Sequence, residues 1–400
     1  MTVRHTRRYG RLAGAATSLL TATALVACNS EPNATDTNEP AAPQSKADAI
    51  VMTTSATTEV GDAPAGLAAD DLDGDGNRDM AVTVFNDNNL VVLKGDGKGG
   101  FAAPVKYPVG DNPNGVAIAD LDGDGNRDLA VANMNSNDVT LLFGDGKGAF
   151  GRPATLPAGK GAIWMAISDL DADSVPDIVV ANYHGDAVTI LAGAGKGRFA
   201  KPVTLPVGND PNRVTVADVN SDGKLDILTS DIGGKTISVL VGDGTGRFAK
   251  AVQYPAGNTP SAAAVGDLDG DGKVDVATAN YDGETVSVLQ GDGAGGFGAP
   301  KAVRAARAPG EVVLADFNND TQTDMVAAAA EAEAAAVITN VGGGEWAEPR
   351  IFPAGEAAAA VIVADFNNDG KIDIAASNSL SGTVTTMLNG TGGAPAVDPV

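Results

Sequence analysis

Aspartates at fixed spacing are the clearest chemical feature of this sequence. The pattern D-x-[DN]-x-D-x-x-x-D begins at seven positions, each 49 residues after the previous one: Asp71, Asp120, Asp169, Asp218, Asp267, Asp316 and Asp365. Side chains at positions 1, 3, 5 and 9 of such a loop offer several oxygen ligands within one short turn, which is the ligand type that Ca²⁺ prefers. The spacing therefore predicts a calcium site in each loop.

The predicted ligands fall into two groups. Four loops supply four aspartates each: Asp71, Asp73, Asp75, Asp79; Asp120, Asp122, Asp124, Asp128; Asp169, Asp171, Asp173, Asp177; and Asp267, Asp269, Asp271, Asp275. Three loops carry asparagine at position 3: Asp218, Asn220, Asp222, Asp226; Asp316, Asn318, Asp320, Asp324; and Asp365, Asn367, Asp369, Asp373. These loops hold 25 of the 51 acidic residues, so about half of the acidic side chains lie in clusters. Within each cluster the carboxylates repel one another when no cation is bound.

Two loops depart from the pattern at position 6, where glycine permits a left-handed turn at little cost. Ser174 takes this place in the third loop, which also contains Pro176, and Thr321 takes it in the sixth. We therefore expect up to seven calcium ions, and fewer if the third and sixth loops are vacant.

The elements around each loop alternate apolar and polar residues with the period of a β-strand. In the second unit the predicted strands are Val116–Ala119, Leu129–Asn133, Val139–Phe143 and Phe150–Ala158, with a glycine-rich turn over Gly144–Gly148. Four antiparallel strands in a repeat of this length are typical of a β-propeller blade.

The two ends of the repeat array complement each other. The seventh unit stops after its third strand, Val384–Leu388, whereas Ile50–Val60 aligns with a fourth strand. We therefore predict an all-β protein over residues 50–390, a seven-bladed β-propeller of four-stranded 49-residue repeats whose N-terminal strand closes the last blade. The alanine-rich stretch Ala327–Ala336 has high helix propensity, but its register favours strands.

The units resemble the FG-GAP/VCBS repeat, which is also found in the heads of integrin α-chains. The resemblance rests on stretches such as ADLDGDGNRDLAVAN and on the turn GDGxGxF, and it covers residues 50–390. It implies a propeller with calcium in the aspartate loops. It implies no single activity, because this fold serves lectins, receptors, enzymes and scaffolds.

The N-terminus has the features of a bacterial export signal. Four arginines (Arg4, Arg7, Arg8 and Arg11) precede the uncharged apolar run Leu12–Ala27, which is short for a membrane span. The run ends in Leu25-Val26-Ala27-Cys28, which resembles the lipobox of bacterial lipoproteins and implies a lipid anchor on Cys28. We expect a signal peptide over residues 1–27, a flexible tether over 28–49, a tail over 391–400, and attachment to the cell envelope, at the outer membrane or the cell surface.

Charge and composition narrow the classes of partner. The formal charge is −24, and removal of the four N-terminal arginines gives 23 − 51 = −28 for the mature chain, which disfavours nucleic acid. Cys28 is the sole cysteine, so no intramolecular disulfide is expected. The two histidines, His5 and His184, exclude a histidine-rich metal centre. We expect a monomeric propeller.

A ligand face is predicted opposite the aspartate loops. Aspartate loops and glycine-rich turns share one face, here called the lower face; the hairpins between second and third strands and the connections between blades form the upper face. Upper-face positions vary between units, and the candidate ligand-binding residues are Trp164, Tyr183, His184, Arg213, Tyr281 and Glu311. Ordinary packing at the strand ends is the alternative interpretation of these residues.

Three functions are compatible with this sequence. The leading hypothesis is a non-catalytic module that binds an extracellular protein or a glycan. The second is a polysaccharide-acting enzyme, a lyase or hydrolase, using acids outside the metal loops such as Glu284 and Glu311. The third is a purely structural scaffold.

Overall fold

The computed structural model describes residues 50–390, so the predicted signal peptide, tether, lipidated Cys28 and C-terminal tail lie outside the described residues. Within residues 50–390, no helix has the length and apolarity needed to cross a membrane. The described residues form seven antiparallel four-stranded sheets arranged as the blades of a propeller. The predicted all-β fold and its seven blades are confirmed.

Blades one to three have regular strands that alternate with the loops predicted from the sequence. Blade one contains Pro64–Asp70, Asp79–Val84, Asn89–Leu93 and Val105–Pro108. Blade two contains Pro113–Ala119, Asp128–Asn133, Asp138–Gly144 and Phe150–Pro157. Blade three contains Ala162–Ser168, Asp177–Asn182, Ala187–Leu191 and Val203–Pro206.

Blades four to seven repeat this order with one elaboration. Blade four contains Pro211–Ala217, Asp226–Asp231, Thr236–Leu240 and Val252–Pro255. Blade five contains Pro260–Gly266, Asp275–Asn280, Thr285–Leu289 and Lys301–Arg304. Blade six contains Pro309–Ala315, Asp324–Ala329, Ala334–Ile338 and Arg350–Pro353, with an added hairpin of Asn340–Gly342 and Glu345–Trp346. Blade seven contains Ala358–Ala364, Asp373–Asn378 and Thr383–Asn389.

The N-terminal strand closes the ring as predicted. Met52–Glu59 pairs antiparallel with the third strand of blade seven, from Met52 opposite Asn389 to Glu59 opposite Thr383. Ile50, just before this strand, is fully buried in the core between blades six and seven. The chain thereby supplies the fourth strand that the seventh repeat lacks, and the edge of that sheet is covered.

The alanine-rich stretch of blade six follows the register of its neighbours rather than its helix propensity. Asp324–Ala329 and Ala334–Ile338 are paired strands, and only Ala330–Ala332 forms a single 3₁₀ turn. Small alanines in both strands are buried in the sheet, so burial and cross-strand pairing outweigh intrinsic propensity here.

Neighbouring blades are joined at the axis and at the lower face. First strands contact one another around the whole ring, including those of blades seven and one. Glycine-rich turns of blades one, three and four also bond to the aspartate loop of the preceding blade: the N–H of Gly197 donates to the carbonyl of Leu121 at 3.1 Å, and that of Gly99 donates to the carbonyl of Phe366 at 3.0 Å. The second contact joins blades one and seven, so the lower face takes part in ring closure.

Candidate metal sites and the upper-face cluster

Each aspartate loop is wound around the carboxylate at its first position. In the second loop, Asp120 accepts the N–H of Gly123 at 2.8 Å and that of Gly125 at 2.9 Å. Gly125 has a φ of +88°, which directs its N–H toward this carboxylate. The bond between position 6 and position 1 recurs in all seven loops, so the repeated sequence builds the same turn in every blade.

Four loops bring three carboxylates close enough to share one ion. In each, oxygen atoms of three aspartates lie within 4.8 Å of one another: Asp71, Asp73 and Asp79; Asp120, Asp122 and Asp128; Asp169, Asp171 and Asp177; and Asp267, Asp269 and Asp271. The donors are all oxygens on a flexible turn, which fits a hard cation of the size of Ca²⁺. In this structure the aspartates at positions 1, 3 and 9, or 1, 3 and 5, would hold such an ion, and the ion would supply the missing positive charge.

The aspartate at position 9 has a second task that the sequence pattern did not reveal. One oxygen of Asp128 accepts the N–H of Leu121 at 2.8 Å, and the other accepts that of Gly144 at 2.8 Å. The equivalent pair of bonds recurs in all seven blades and ties each aspartate loop to the backbone at the end of the third strand. The aspartate at position 9 is therefore a candidate ligand that also joins two backbone segments, and we call it the bracket of its blade.

Burial affects the ionisation of these brackets. Desolvation raises the pKa of Asp79 to about 6 and those of Asp324 and Asp373 to about 7, while the two backbone hydrogen bonds to each carboxylate oppose the rise. Neighbouring loop aspartates add to the rise by like-charge repulsion. A bound cation would reverse that repulsion and favour the ionised form.

The third and sixth loops form the standard turn without glycine at position 6. Ser174 and Thr321 adopt φ values of +67° and +72°, and their N–H groups donate to the first aspartate at 2.8 Å, as in the other loops. The left-handed conformation is costly for these residues, so the strain predicted from the sequence is present. The third loop nevertheless gathers its carboxylates, and one oxygen of Asp171 is enclosed without a hydrogen-bond partner.

Basic side chains approach five of the seven loops. Lys94 lies 3.0 Å from Asp73 at position 3 of the first loop, and Arg152 lies 2.8 Å from Asp122 at position 3 of the second. At position 5, lysines contact aspartates of the fourth, fifth and seventh loops: Lys224 with Asp222, Lys273 with Asp271, and Lys371 with Asp369. The extent to which basic side chains neutralise the loop aspartates therefore differs from blade to blade.

Three predicted upper-face residues come together near the starts of the first strands of blades three, four and six. The guanidinium carbon of Arg213 lies 3.6 Å from the centre of a Trp164 ring, and its Nε lies 3.4 Å from Oε1 of Glu311. Glu311 also accepts the N–H of Val361 at 3.2 Å. Arg213 and Glu311 are only 9% and 8% exposed, so this cluster links the non-adjacent blades four and six from within.

Glycines make room for this cluster, here named the upper plug (Trp164, Arg213 and Glu311). A Cβ atom at Gly115 would lie 3.0 Å from the Trp164 ring, and one at Gly66 would lie 3.2 Å from it. The indole therefore occupies space that larger residues in blades one and two would fill. Glu311, which the sequence suggested as a catalytic acid, is buried in an ion pair. Desolvation raises the pKa of Glu311, and the nearby charge of Arg213 opposes this rise.

The other candidate ligand residues lie outside the plug. Tyr183 and His184 form an edge-to-face pair with ring centres 5.1 Å apart, and His184 is exposed. Tyr183 packs, with Trp164, against the core shared by blades three and four. Tyr281 follows the second strand of blade five, and burial raises its pKa. In the same hairpin, the carboxylate of Glu284 lies 3.9 Å from Nε of Arg307. The ligand role of this face stays a prediction.

Asp231 is a notable residue that the sequence reasoning missed. It ends the second strand of blade four, where four other blades have asparagine: Asn133, Asn182, Asn280 and Asn378. Its fully buried carboxylate accepts the hydroxyls of Ser238 at 2.6 Å and Thr229 at 2.7 Å. Desolvation raises its pKa to about 6 against these hydrogen bonds. An acidic residue at a buried strand position that is asparagine in four blades was the signal that could have identified it.

Comparison with known proteins supports the repeat and the fold. A family model described as FG-GAP-like repeat matches residues 71–131, 120–180, 169–229, 220–278, 267–327 and 316–376. No protein of curated function matches the chain in sequence.

Solved structures of quite different proteins share this architecture. BBS1N in complex with ARL6DN is 14% identical with a TM-score of 0.60, covering 84% of this chain and 97% of that one. Hydrazine synthase of Kuenenia stuttgartiensis is 13% identical with a TM-score of 0.60 over 84% and 98% of the two chains. Virginiamycin B lyase of Staphylococcus aureus is 12% identical with a TM-score of 0.55 over 84% and 99%. Identities this low establish the fold alone.

Proposed function

The chain belongs to the FG-GAP-like repeat family, and on that premise we propose that it is a calcium-stabilised propeller that binds a protein or a glycan without catalysis. The observation that carries this proposal is that the lower and upper faces present different kinds of side chain. The repeated carboxylate clusters all belong to the lower-face loops, whereas Tyr183 and the exposed His184 form an aromatic pair on the unrepeated upper face. Aromatic rings with a polar edge are common anchors for sugars and peptides.

The proposed metal is calcium, bound by the lower-face loops. Support comes from all-oxygen donor sets within 4.8 Å and from the enclosed oxygen of Asp171 that lacks a partner. Extracellular modules usually bind calcium with dissociation constants of about 0.1–1 mM, so occupancy of the loops should follow the calcium concentration outside the cell. Up to seven ions would reduce the mature charge from −28 toward −14, with fewer ions if strain empties the third and sixth loops.

The proposed location is the bacterial cell envelope, with the propeller tethered by a lipid on Cys28. The support is the basic and apolar N-terminus that ends in the only cysteine of the chain. Labelled palmitate should enter the wild-type protein but not Cys28→Ala. Equal labelling of both would contradict the anchor while leaving the binding proposal intact.

A glycan array and a peptide library, probed with the calcium-loaded full-length protein, test the binding role. Tyr183→Ala should weaken a captured ligand by about tenfold or more, because a buried aromatic anchor contributes about 2 kcal/mol. Lys196→Ala, an exposed residue in the lower-face turn of the same blade, is the matched control and should bind normally.

The enzymatic alternative is tested with the same protein. A reducing-sugar assay on the glycans that bind should show no turnover, because Glu311 is committed to Arg213 and Val361 inside the upper plug. Turnover that depends on Glu284 or Glu311 would instead favour the polysaccharide-acting enzyme. Absence of any ligand and any turnover would leave the scaffold hypothesis.

A further inference from the structure

Arg152 occupies an unusual backbone position beside the second aspartate loop. It lies in the fourth strand of blade two with a φ of +48°, at a bulge where the register shifts opposite Leu141 and Phe143. Pro153 follows it and further limits the backbone conformations open to Arg152. A non-glycine residue in this region of φ is held there only by its surroundings, so the contacts that hold it are informative.

Those contacts place the guanidinium at the candidate metal cluster. Nη2 of Arg152 lies 2.8 Å from Oδ2 of Asp122, and its guanidinium carbon lies 5.1 Å from the centre of the Phe143 ring. Phe143 stands where other blades have Lys94, Ala192, Val241, Gln290, Thr339 and Leu388, so this cation–π support exists in blade two alone among these positions. Asp122 is one of the three carboxylates that converge within 4.8 Å in this loop.

The third loop provides the contrast. Its position 3 aspartate, Asp171, has an enclosed oxygen without a partner, and no basic side chain of residues 50–390 lies within 4 Å of its carboxylates. Lys201, at the position equivalent to Arg152, is exposed. The second cluster is thus partly neutralised by the protein itself, and the third is not.

Resting on the proposed calcium binding, we propose that Arg152 is a tethered cation that competes with calcium for the second aspartate loop and weakens calcium binding there. Arg152 holds Oδ2 of Asp122, and Oδ1 accepts the N–H of Asp124 at 3.2 Å, so a calcium ion at Asp120, Asp122 and Asp128 would share a carboxylate that already has a cationic partner. A groove of about 450 Å³ lined by Asp124, Phe143, Phe150 and Arg152 adjoins the site and can accept the displaced guanidinium.

Equilibrium dialysis with radioactive calcium on the full-length protein tests this competition. Arg152→Gln should raise the affinity of one site by about threefold to fivefold, the usual strength of an exposed ion pair. Lys250→Gln is the matched control, because Lys250 holds the equivalent position in blade four, is exposed, and forms no ion pair within residues 50–390. It removes the same charge and should leave all calcium affinities unchanged.

The site is assigned by combining Arg152→Gln with Asp120→Ala. This second change should abolish the gain in affinity, because Asp120 belongs to the same cluster as Asp122. Melting curves in chelator establish that each variant folds. Equal isotherms for Arg152→Gln and Lys250→Gln would overturn the competition while leaving calcium binding in place. No calcium bound to the wild-type protein would overturn the proposed function, and this inference with it.

Discussion

The lower and upper faces of the ring differ in how their stabilising contacts are distributed. On the lower face, the same carboxylate brackets and the same turns recur in every blade. On the upper face, Trp164, Arg213 and Glu311 each occur once and together span blades three, four and six. The repeat unit therefore encodes the contacts that assemble the ring, whereas departures from the repeat add contacts that are made only once.

Removal of the closing strand should have the largest effect. Deletion of residues 50–60 exposes the third strand of blade seven, removes its ladder from Thr383 to Asn389, and takes the buried Ile50 from the core. We expect a large fall in melting temperature and aggregation through the uncovered edge. Chromatography with light scattering and thermal melting are the measurements. A truncated protein that stays monomeric and melts like the wild type would show that closure at the N-terminus is unimportant.

The next largest effect should distinguish two aspartates of the same lower-face loop. In chelator, Asp128→Ala leaves the buried N–H groups of Leu121 and Gly144 without partners and should cost about 2–5 kcal/mol of unfolding free energy. Asp124→Ala removes an exposed side chain and should cost little in chelator, although it should reduce the stabilisation by calcium. Denaturant titrations with and without calcium measure both. Equal costs in chelator would contradict the bracket role.

The upper plug offers a smaller and more local effect. Arg213→Met and Glu311→Gln should each destabilise by about 3 kcal/mol, because each leaves a buried charge unpaired, and together they should cost less than the sum. A double-mutant cycle should give a coupling of about 1–3 kcal/mol. The pair Lys301–Glu345, at 3.0 Å but 60% and 72% exposed, is the matched control and should couple weakly. Comparable coupling in both pairs would remove the distinction drawn for the plug.

The smallest effect should appear as a pH dependence in blade four. Because burial raises the folded-state pKa of Asp231 from 3.8 to about 6, the folded protein binds more protons than the unfolded chain between these values. This carboxylate therefore makes folding less favourable as pH rises from about 4 to 6. Asp231→Asn should gain stability relative to wild type by about 1–3 kcal/mol across that window. Denaturant titrations at fixed calcium measure the difference, and a constant difference would show that Asp231 does not titrate there.

The repeated parts of the molecule could be predicted from sequence because seven copies in one register show the strand pattern even where a single copy is ambiguous. The 49-residue period fixed the strand order, the closing strand and the turn of each aspartate loop, and it correctly favoured strands over a helix in the alanine-rich blade. Loop position 9 was assigned as a ligand only, because its bonds to Leu121 and Gly144 arise when strands pair.

The unrepeated contacts could not be predicted because they depend on the closed ring. Arg213 and Glu311 are 98 residues apart in sequence and meet across a blade, so no local pattern joins them. Arg152 reaches Asp122 through a bulge that becomes visible only in the backbone. The identity of a bound ligand likewise depends on the upper face, where the repeat is least regular.

Thermal melting of the full-length protein in calcium and in excess chelator tests the central claim most directly. Each ion bound only to the folded state at a hundredfold excess over its dissociation constant adds about 2.7 kcal/mol. We expect a large fall in melting temperature on chelation, which calcium restores and magnesium restores poorly, because magnesium requires a stricter octahedral site. Elemental analysis should find calcium in the protein before chelation. An unchanged melting curve in excess chelator, with no calcium found beforehand, would reduce the aspartate loops to ordinary turns.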